Sequence, residues 1–332
     1  MRVAISMIPR TMAEVRLIAA AVERHGIERL GIPDSPRLYR ATYPAVQEAL
    51  AATSRLLIGP FVTNPVTRHP SVHASNLAAL DELHPGRVGI AIGAGDSAVT
   101  SVGLVPAGRK VIADSIRSIR RSVGEAIGIE MAVSGPLAAD AVPAEADGVV
   151  LGSGLSPSWA AALHRRAERA AGHPLSARVA VVGSLIDDGD DPPRRRAAER
   201  AVRASVLAYG RHGIGRDPIE RGVPAAIADE LSEVFAAYRM DAHAKIDGAN
   251  AGLLDDHPAV EAYLVGRYAL VGTGEEIARR LARFGDESGI DGVSISINVP
   301  DPFAQIAAIG DRLLPHLNRQ TESTTPDAEH PS

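Results

Sequence analysis

Short apolar runs alternate with amphipathic segments along most of this chain. The apolar runs are nearly continuous, as expected for strands that are buried on both faces of a parallel sheet. The segments between them repeat their apolar residues at the spacing of an α-helix, so each run is followed by a predicted helix. The predicted strands lie at 2–7, 28–33, 55–62, 87–93, 129–133, 147–152, 178–185 and 291–298.

Capping residues mark several of the predicted helices. Thr273 and Glu276 form a capping box before an apolar stripe, which predicts a helix over 274–288. An N-cap serine followed by proline, with a glycine at the far end, predicts a second helix over 156–171. A leucine stripe that stops at Pro-Gly predicts a third over 70–84.

Strands and helices that alternate in this way predict a (β/α)8 TIM barrel, with a doubly wound open sheet as the competing architecture. Segment 192–286 is different because it shows helical patterns and no strand, so we interpret it as a helical elaboration between strands 7 and 8. We expect one domain over 1–318 and a disordered polar tail over 319–332. The helical patterns in the elaboration lie at 193–212, 224–240 and 257–270.

Composition narrows the possible settings and partners. The chain has 332 residues, and no apolar run is long enough to span a bilayer. It has no cysteine, which excludes disulfides, thiolate catalysis and cysteine-ligated metals. Its net charge of −5 argues against a nucleic-acid partner. The N-terminus leads directly into a strand without a signal peptide, so we expect a cytoplasmic protein with no membrane partner.

Polar residues follow several predicted strands at the edge where α/β proteins bind ligands. The third strand stops in the polar run 62–70, and Gly93-Ala94-Gly95-Asp96 follows the fourth. The second motif also fits a loose dinucleotide-binding pattern, but it lies after the wrong strand and no acidic residue follows at the needed distance. We interpret its glycines as a tight turn that lets a flat ring approach the backbone, with Asp96 pointing into the barrel mouth.

Two further residues near this edge allow two interpretations each. Asp34 follows the second strand, where a carboxylate either caps the next segment or lines a pocket. Phe61 lies in a strand of otherwise small and branched residues, and it is either a pocket wall or part of the core.

Two loops predict a phosphate-binding cradle. Ser134-Gly135-Pro136 and Gly152-Ser153-Gly154 each follow a strand and open a helix. Unpaired backbone N–H groups at such helix starts favour anions, and neighbouring strands would bring the two loops together.

We assign no metal site. His69 and His73 have the spacing of a helical zinc pair, but the internal glutamate of the metalloprotease motif and a third ligand are both missing. His69 is better explained as a residue that caps or hydrogen-bonds a loop.

Taken together, these residues resemble the bacterial luciferase-like superfamily, whose members include flavin-dependent monooxygenases and oxidoreductases that use the deazaflavin coenzyme F420. The chain is similar to the F420-dependent reductases related to methylenetetrahydromethanopterin reductase. The similarity extends in order over most of the chain. It rests on 52–55, 62–70, 80–83 with 86–87, 93–96, 134–136, 146–149, 271–273 and 289–293.

The resemblance implies positions for the coenzyme. Its ring would lie at the carboxyl ends of the barrel strands, with Thr63 and Asn64 hydrogen-bonding its rim. A cis peptide between Phe61 and Val62 would form a bulge beneath the ring. Asp96 matches an acidic position that exchanges protons with the deazaflavin.

The resemblance also implies how the rest of the coenzyme is held. Ser134, Gly135, Gly152 and Ser153 would bind its phosphate. Because the tail of F420 is acidic, Arg68 is the arginine expected to meet it.

The resemblance implies hydride transfer between C5 of F420 and a small-molecule or modified-peptide substrate, most readily to a C=C or C=N bond. Asp96 and Asp34 are the candidate catalytic residues, and a homodimer is expected. An FMN-dependent monooxygenase of the same fold is the first alternative.

A family member that has lost coenzyme binding is the second alternative, and Phe61 and the short link before the fifth strand motivate it. Ser35 stands where many F420 enzymes have histidine, and Phe61 stands where glycine is usual. The link from Ser122 to Gly128 is short where the family has a long insertion before the fifth strand.

Overall fold

The computed structural model describes residues 1–187, 191–215, 217–243 and 245–322. Every strand pair in this part of the chain is parallel. The strands are β1 (Arg2–Met7), β2 (Arg29–Ile32), β3 (Leu57–Pro60), β4 (Gly89–Ile92), β5 (Gly128–Val133), β6 (Gly148–Leu151), β7 (Ser176–Leu185), β8 (Ala269–Gly272) and β9 (Gly292–Ile297).

The helices alternate with these strands. A 3-10 turn at Met240–Ala242 follows the ninth helix, and a π-helical turn at Ile309–Leu313 joins the last two helices. The α-helices are α1 (Met12–Arg24), α2 (Thr42–Ala51), α3 (Pro70–Leu83), α4 (Asp96–Thr100), α5 (Arg109–Val123), α6 (Pro136–Ala139), α7 (Pro157–Ala171), α8 (Pro192–Ile214), α9 (Ala225–Ala236), α10 (Ala249–Gly252), α11 (Pro258–Tyr268), α12 (Gly274–Ser288), α13 (Pro302–Ala308) and α14 (Leu314–Glu322).

The sheet closes into the predicted eight-stranded barrel. Its order is β3-β2-β1-β9-β7-β6-β5-β4, and bridges from Ile58 to Val88 and from Thr63 to Ile92 join the two ends. All eight predicted strands are present, with ends that differ from the predicted ones by up to two residues. The barrel prediction is therefore confirmed, and the open sheet is not what the chain forms.

One strand was missed. The segment expected to hold only helices contains β8, which pairs with the second half of β7. The prediction failed because Ala269-Leu270-Val271 continues the apolar pattern of α11, and a run this short does not separate a strand from a helix end. The rest of the segment is helical, in α8 to α11 as expected.

Helices α8, α9 and α11 pack into a core of their own above one side of the barrel. Its fully buried members include Val202, Leu207, Leu231 and Leu264. This packing fixes α8 across the barrel mouth, so that residues on its inner face reach the carboxyl ends of the strands. No helix in the described ranges is long and apolar enough to cross a membrane.

Two further predictions concern the link before the fifth strand and the start of the C-terminal tail. Only residues 124–127 separate α5 from β5, so the link before the fifth strand is short, as expected. Helix α14 continues to Glu322, which corrects the expected start of the disordered tail at residue 319. The rest of that predicted tail, 323–332, lies outside the described residues.

The amino-terminal end of the barrel holds a buried ionic cluster. Glu130 of β5 accepts a hydrogen bond of 2.6 Å from Nη2 of Arg29 on β2, and a second from Arg178 on β7. These strands are not neighbours in the sheet, so the contacts cross the barrel interior. Burial lowers the pKa of the Arg29 guanidinium to about 10, and Glu130 opposes that shift.

Candidate active site

A cavity of about 320 Å³ lies at the carboxyl ends of the strands, within the usual range for small-molecule sites. Its wall includes Asp34, Phe61, Asp96, Ser134 and Gly152, all of which were named from the sequence as candidate site residues. The predicted location of the site is thus where this cavity lies.

Phe61 forms the floor of this cavity. Its ring lies in the barrel interior with Ala91 of β4 and Val150 of β6, and only 9% of the residue is exposed. On β2, a Cβ at Gly31 would come within 2.5 Å of the Phe61 Cβ. The interior of such a barrel is filled by layers of side chains from different strands. Here the small side chains around Phe61 leave room for its large ring. Phe61 therefore sinks below the cavity instead of filling it.

The chain bends sharply after this floor residue. The Phe61–Val62 peptide bond is cis, as the resemblance implied. Val62 lines the cavity, whereas Thr63 and Asn64 are fully buried behind the wall. The Oδ1 atom of Asn64 accepts hydrogen bonds from the backbone N–H groups of Val66 and Thr67 at 3.0 and 2.8 Å. In this position Thr63 and Asn64 support the cavity wall. The hydrogen bonds that they are expected to make to the rim of the coenzyme ring stay a prediction.

Asp34 is a buried carboxylate in the cavity wall. Its Oδ2 atom accepts a hydrogen bond of 2.7 Å from the Thr63 hydroxyl, and a second from Arg68. Its Oδ1 atom is buried and has no hydrogen-bond partner among the described residues. A bound ligand with an N–H or O–H group would satisfy this acceptor. Of the two interpretations of Asp34, the structure favours the pocket wall.

Arg68 is held behind Asp34, where its charge is already balanced by that carboxylate. Because of this pairing, Arg68 is poorly placed to bind the acidic tail of F420.

The two histidines of the possible zinc pair both have hydrogen-bond partners within the protein. His73 contacts the Tyr43 hydroxyl at 2.7 Å and the Asn64 carbonyl at 3.0 Å. His69 caps α3 by accepting from the Ser71 N–H, so the pair has ordinary structural roles.

Asp96 begins α4 and faces the cavity. Gly95 precedes it with φ +83°, and a Cβ at Gly95 would lie 2.5 Å from Asn64, so both the turn and the close approach need glycine. The Oδ2 atom of Asp96 accepts a hydrogen bond of 3.0 Å from Nη1 of Arg211 on α8. About a third of each side chain is exposed, so this ion pair lies at the cavity mouth and not beneath it.

The two loops of the predicted cradle lie side by side. A Cβ at Gly152 would be 3.3 Å from the Ser134 Cβ, and both residues line the cavity. Gly135 and Ser153 lie just outside that wall, and the Ser153 hydroxyl donates to the Gly154 carbonyl at 2.9 Å.

The structure adds a cation to this cradle that the sequence did not reveal. Arg221 donates from Nη1 to the carbonyls of Ser134 and Gly213, and its Nη2 would lie 2.9 Å from a Cβ at Gly135. Behind the cradle, Arg267 donates to the Ser153 carbonyl, and its buried Nη2 has no partner among the described residues. Of the two loops, the first opens the one-turn helix α6, whereas α7 begins at Pro157, so the helix start predicted at Gly152-Ser153-Gly154 is wrong. Positive charge beside the two loops still favours an anion.

Helix α8 and the chain after α9 form the roof of the cavity, which sequence reasoning missed. His212 and His243 both line the cavity. More than a third of His212 stays exposed there, and the nearby Arg211 and Arg221 disfavour a positive charge on its ring while Asp96 favours one. These residues belong to no recognisable motif, and only the folded helices bring them over the mouth.

Hydroxyl and amide groups line the side opposite the cradle. Ser6 lies near the end of β1, Asn298 directly follows β9, and Ser205 and Tyr209 project from α8. Tyr209 hydrogen-bonds Ser6 and Ser296, and burial raises its pKa. This side is therefore polar but uncharged.

These features fit the coenzyme that the resemblance implied. The cavity joins an anion cradle at one end to an apolar floor. Its wall carries a buried acceptor on Asp34 with no partner among the described residues. A planar ring with a phosphate-bearing tail matches that order of groups.

Comparisons with known proteins agree with this site. Residues 4–292 match the family model of the luciferase-like monooxygenases. A 5,10-methylenetetrahydromethanopterin reductase from Methanopyrus kandleri is 50% identical over 50 residues, which cover 15% of this chain and 14% of that protein. An F420-dependent glucose-6-phosphate dehydrogenase from Nakamurella multipartita is 32% identical over 93 residues, which cover 26% of this chain and 27% of that protein.

The matched stretches thus span less than a third of either curated relative. Among solved structures, the coenzyme F420-dependent tetrahydromethanopterin reductase from Methanopyrus kandleri superposes with a TM-score of 0.73. The match covers 95% of this chain and 98% of that one, at 19% identity, and it shows the shared fold. Because the family model covers most of the sequence, the chain belongs to the luciferase-like monooxygenase family and is an oxidoreductase.

Proposed function

We propose that this enzyme is an F420-dependent oxidoreductase that transfers a hydride between C5 of the deazaflavin and a small-molecule or modified-peptide substrate. Reduction of a C=C or C=N bond is the favoured reaction. The observation that carries the proposal is the order of groups around one cavity: the Ser134 and Gly152 loops with Arg221 next to them, the Phe61 floor, and Asp96 at the mouth. The two curated relatives support it, since one is named as F420-dependent and the other is a reductase.

In this proposal, F420 supplies or accepts the hydride at its C5 carbon when it is bound. Ser134, Gly152 and Arg221 would hold its phosphate. Val62 and Phe61 would support the ring from below, and the free Oδ1 of Asp34 would accept a hydrogen bond from it. Closure of the lower face by Phe61 restricts a substrate to the upper face, which the roof helices cover.

Asp96 is proposed to exchange the proton that accompanies the hydride. It lies on the cavity wall, and Arg211 fixes the direction of its carboxylate. About a third of the Asp96 side chain is exposed at the cavity mouth, so the carboxyl group can pass the proton between solvent and the site. The homodimer and the cytoplasmic location expected from the sequence stay predictions.

The second candidate is an FMN-dependent monooxygenase, which the name of the matched family favours. Oxygen separates the two candidates, because reduced flavin reacts quickly with it and reduced deazaflavin barely does.

The experiment is to mix the purified enzyme with reduced F420 and a panel of conjugated enones and cyclic imines, with and without air. We expect an acceptor-dependent oxidation of F420 that air does not change, because hydride transfer needs no oxygen. The matched control is the same panel with reduced FMN. Oxygen-dependent turnover with FMN alone would contradict the F420 proposal.

A further inference from the structure

His243 and Tyr238 form a hydrogen-bonded pair in the cavity roof that the function described so far does not use. The Tyr238 hydroxyl and the Nδ1 atom of His243 are 2.6 Å apart, and the two rings meet nearly edge to face. His243 lines the cavity. Its partner Tyr238 lies under the guanidinium of Arg211, 5.3 Å from the ring centre.

The pair has a defined protonation pattern. Burial raises the pKa of Tyr238, which keeps its proton, and burial lowers the pKa of His243, which keeps the imidazole neutral. The Tyr238 hydroxyl has no other hydrogen-bond acceptor among the described residues, so we assign it as the donor to Nδ1, which leaves the single imidazole proton on Nε2. Since Nδ1 is occupied, Nε2–H is the ring nitrogen left for a bound molecule.

The position of the pair indicates what it would meet. Phe61 closes the floor of the cavity, so a substrate must enter between the coenzyme ring and the roof. His243 is part of that roof. The other roof histidine, His212, is beside Gly152 at the cradle, and its ring has no hydrogen bond to hold it among the described residues.

The alternatives at the strand ends lack suitable groups. Ser35 and Ser97 hydrogen-bond each other at 3.1 Å, and a serine hydroxyl is a poor proton donor at neutral pH. Asp96 is paired with Arg211 on the side of the β4 loop. A neutral imidazole with a fixed Nε2–H is the group in this site that is suited to a neutral acceptor.

We propose that His243, oriented by Tyr238, hydrogen-bonds the heteroatom of an uncharged C=N or conjugated C=O substrate and gives it the proton during reduction. The proposal rests on the proposed function for the hydride, while Asp96 serves the coenzyme side. His243 is a catalytic residue in this scheme, and Tyr238 is a positioning residue.

The atoms balance in the following way. The hydride and its electron pair bond to the substrate carbon, and the π electrons move to the imine nitrogen or carbonyl oxygen. That heteroatom takes the proton from Nε2, and Nδ1 takes the phenol proton of Tyr238. The phenolate left behind faces the guanidinium of Arg211, and solvent later restores its proton.

The test uses nuclear magnetic resonance of the full-length enzyme with 15N-labelled histidine, with and without F420. The probes are propionamide, a neutral carbonyl compound, and propionate, its anionic counterpart. We expect propionamide to shift the Nε2 signal of His243 saturably and propionate to leave it unchanged. That signal is identified by its loss in His243→Gln, which should weaken propionamide binding about threefold to tenfold.

Two further variants separate a direct role from a structural one. Tyr238→Phe keeps the ring but loses the hydroxyl, so the His243 signals should change from one tautomer to a mixture. His316→Gln on α14 is the matched control and should change neither signal nor affinity. An unmoved His243 signal, or equal propionamide affinity in His243→Gln, would overturn the proposal.

The same samples distinguish this proposal from the proposed function. F420 binding is read separately by fluorescence, and it should be the same in the wild type and in His243→Gln. A response of His243 to propionamide without any F420 binding would remove the proposed coenzyme and keep the roof pair. F420 binding without a His243 response would keep the proposed coenzyme and overturn the role proposed for His243.

Discussion

Replacement of Asp96 by asparagine is expected to lower turnover about 10²-fold to 10⁴-fold, the usual contribution of a positioned acid or base. The affinity for F420 should change about fivefold at most, because a partly exposed ion pair contributes ~1 kcal/mol or less. Asparagine keeps an oxygen that accepts from Arg211 at the same place, so the loop geometry should survive. Turnover is measured with reduced F420 and the best acceptor from the panel.

A matched control is available on α5. Asp114 also pairs with an arginine, Arg117, at 2.9 Å, but it lies on the outer surface. Asp114→Asn should leave both turnover and F420 affinity at the wild-type level. If Asp96→Asn turns over as fast as this control, Asp96 has no part in proton exchange.

The second large effect concerns stability and lies at the opposite end of the barrel. Glu130→Gln is expected to lower the free energy of unfolding by about 3–5 kcal/mol, because it leaves Arg29 and Arg178 buried without a compensating charge. The measurement is unfolding in urea, with the slope of the transition used to check that the same structure unfolds.

Two variants make this result specific. Glu275→Gln removes an exposed pair with Arg279 and should change stability by only about 0.5 kcal/mol. Adding Arg178→Met to Glu130→Gln removes one uncompensated charge and should recover part of the loss. Equal stability of Glu130→Gln and Glu275→Gln would show that the cluster does not stabilise the barrel.

The sequence predicted the barrel well because its signals are local. Most barrel strands are nearly continuous apolar runs, and caps such as the Thr273–Glu276 box place helix ends to the residue, as in α12. The missed strand β8 lacks such a signal, since its four residues follow α11 without any polar break. Its pairing with β7 depends on tertiary register, which no local pattern contains.

The site was predictable only in part for the same reason. Asp34 and Asp96 could be found because they directly follow strands, and strand ends share one edge. Arg221 and His243 could not be found, since each lies in the helical elaboration and comes close to the strand ends only after α8 and α9 pack. Arg221 also has a partner far away in sequence, the Ser134 carbonyl that accepts its hydrogen bond.

The environment of Phe61 depends on strand register, which the sequence alone does not reveal. From the sequence alone, a large ring in place of glycine favours the alternative in which the coenzyme is excluded. The structure pairs the ring with Gly31, Ala91 and Val150, which face it from other strands. Which residues share a barrel layer follows from strand stagger, so this compensation is visible only in the folded chain.

The most direct measurement for the central claim is a fluorescence titration of the purified enzyme with F420 and, separately, with FMN. Parallel titrations of Arg221→Gln should show weaker binding of whichever coenzyme uses the cradle, because a charge-assisted contact to the phosphate is lost. The account predicts saturable F420 binding that Arg221→Gln weakens, with negligible binding of FMN. Tight FMN binding without F420 binding would contradict it and favour oxygenation. Binding of neither would mean that the cavity serves another ligand.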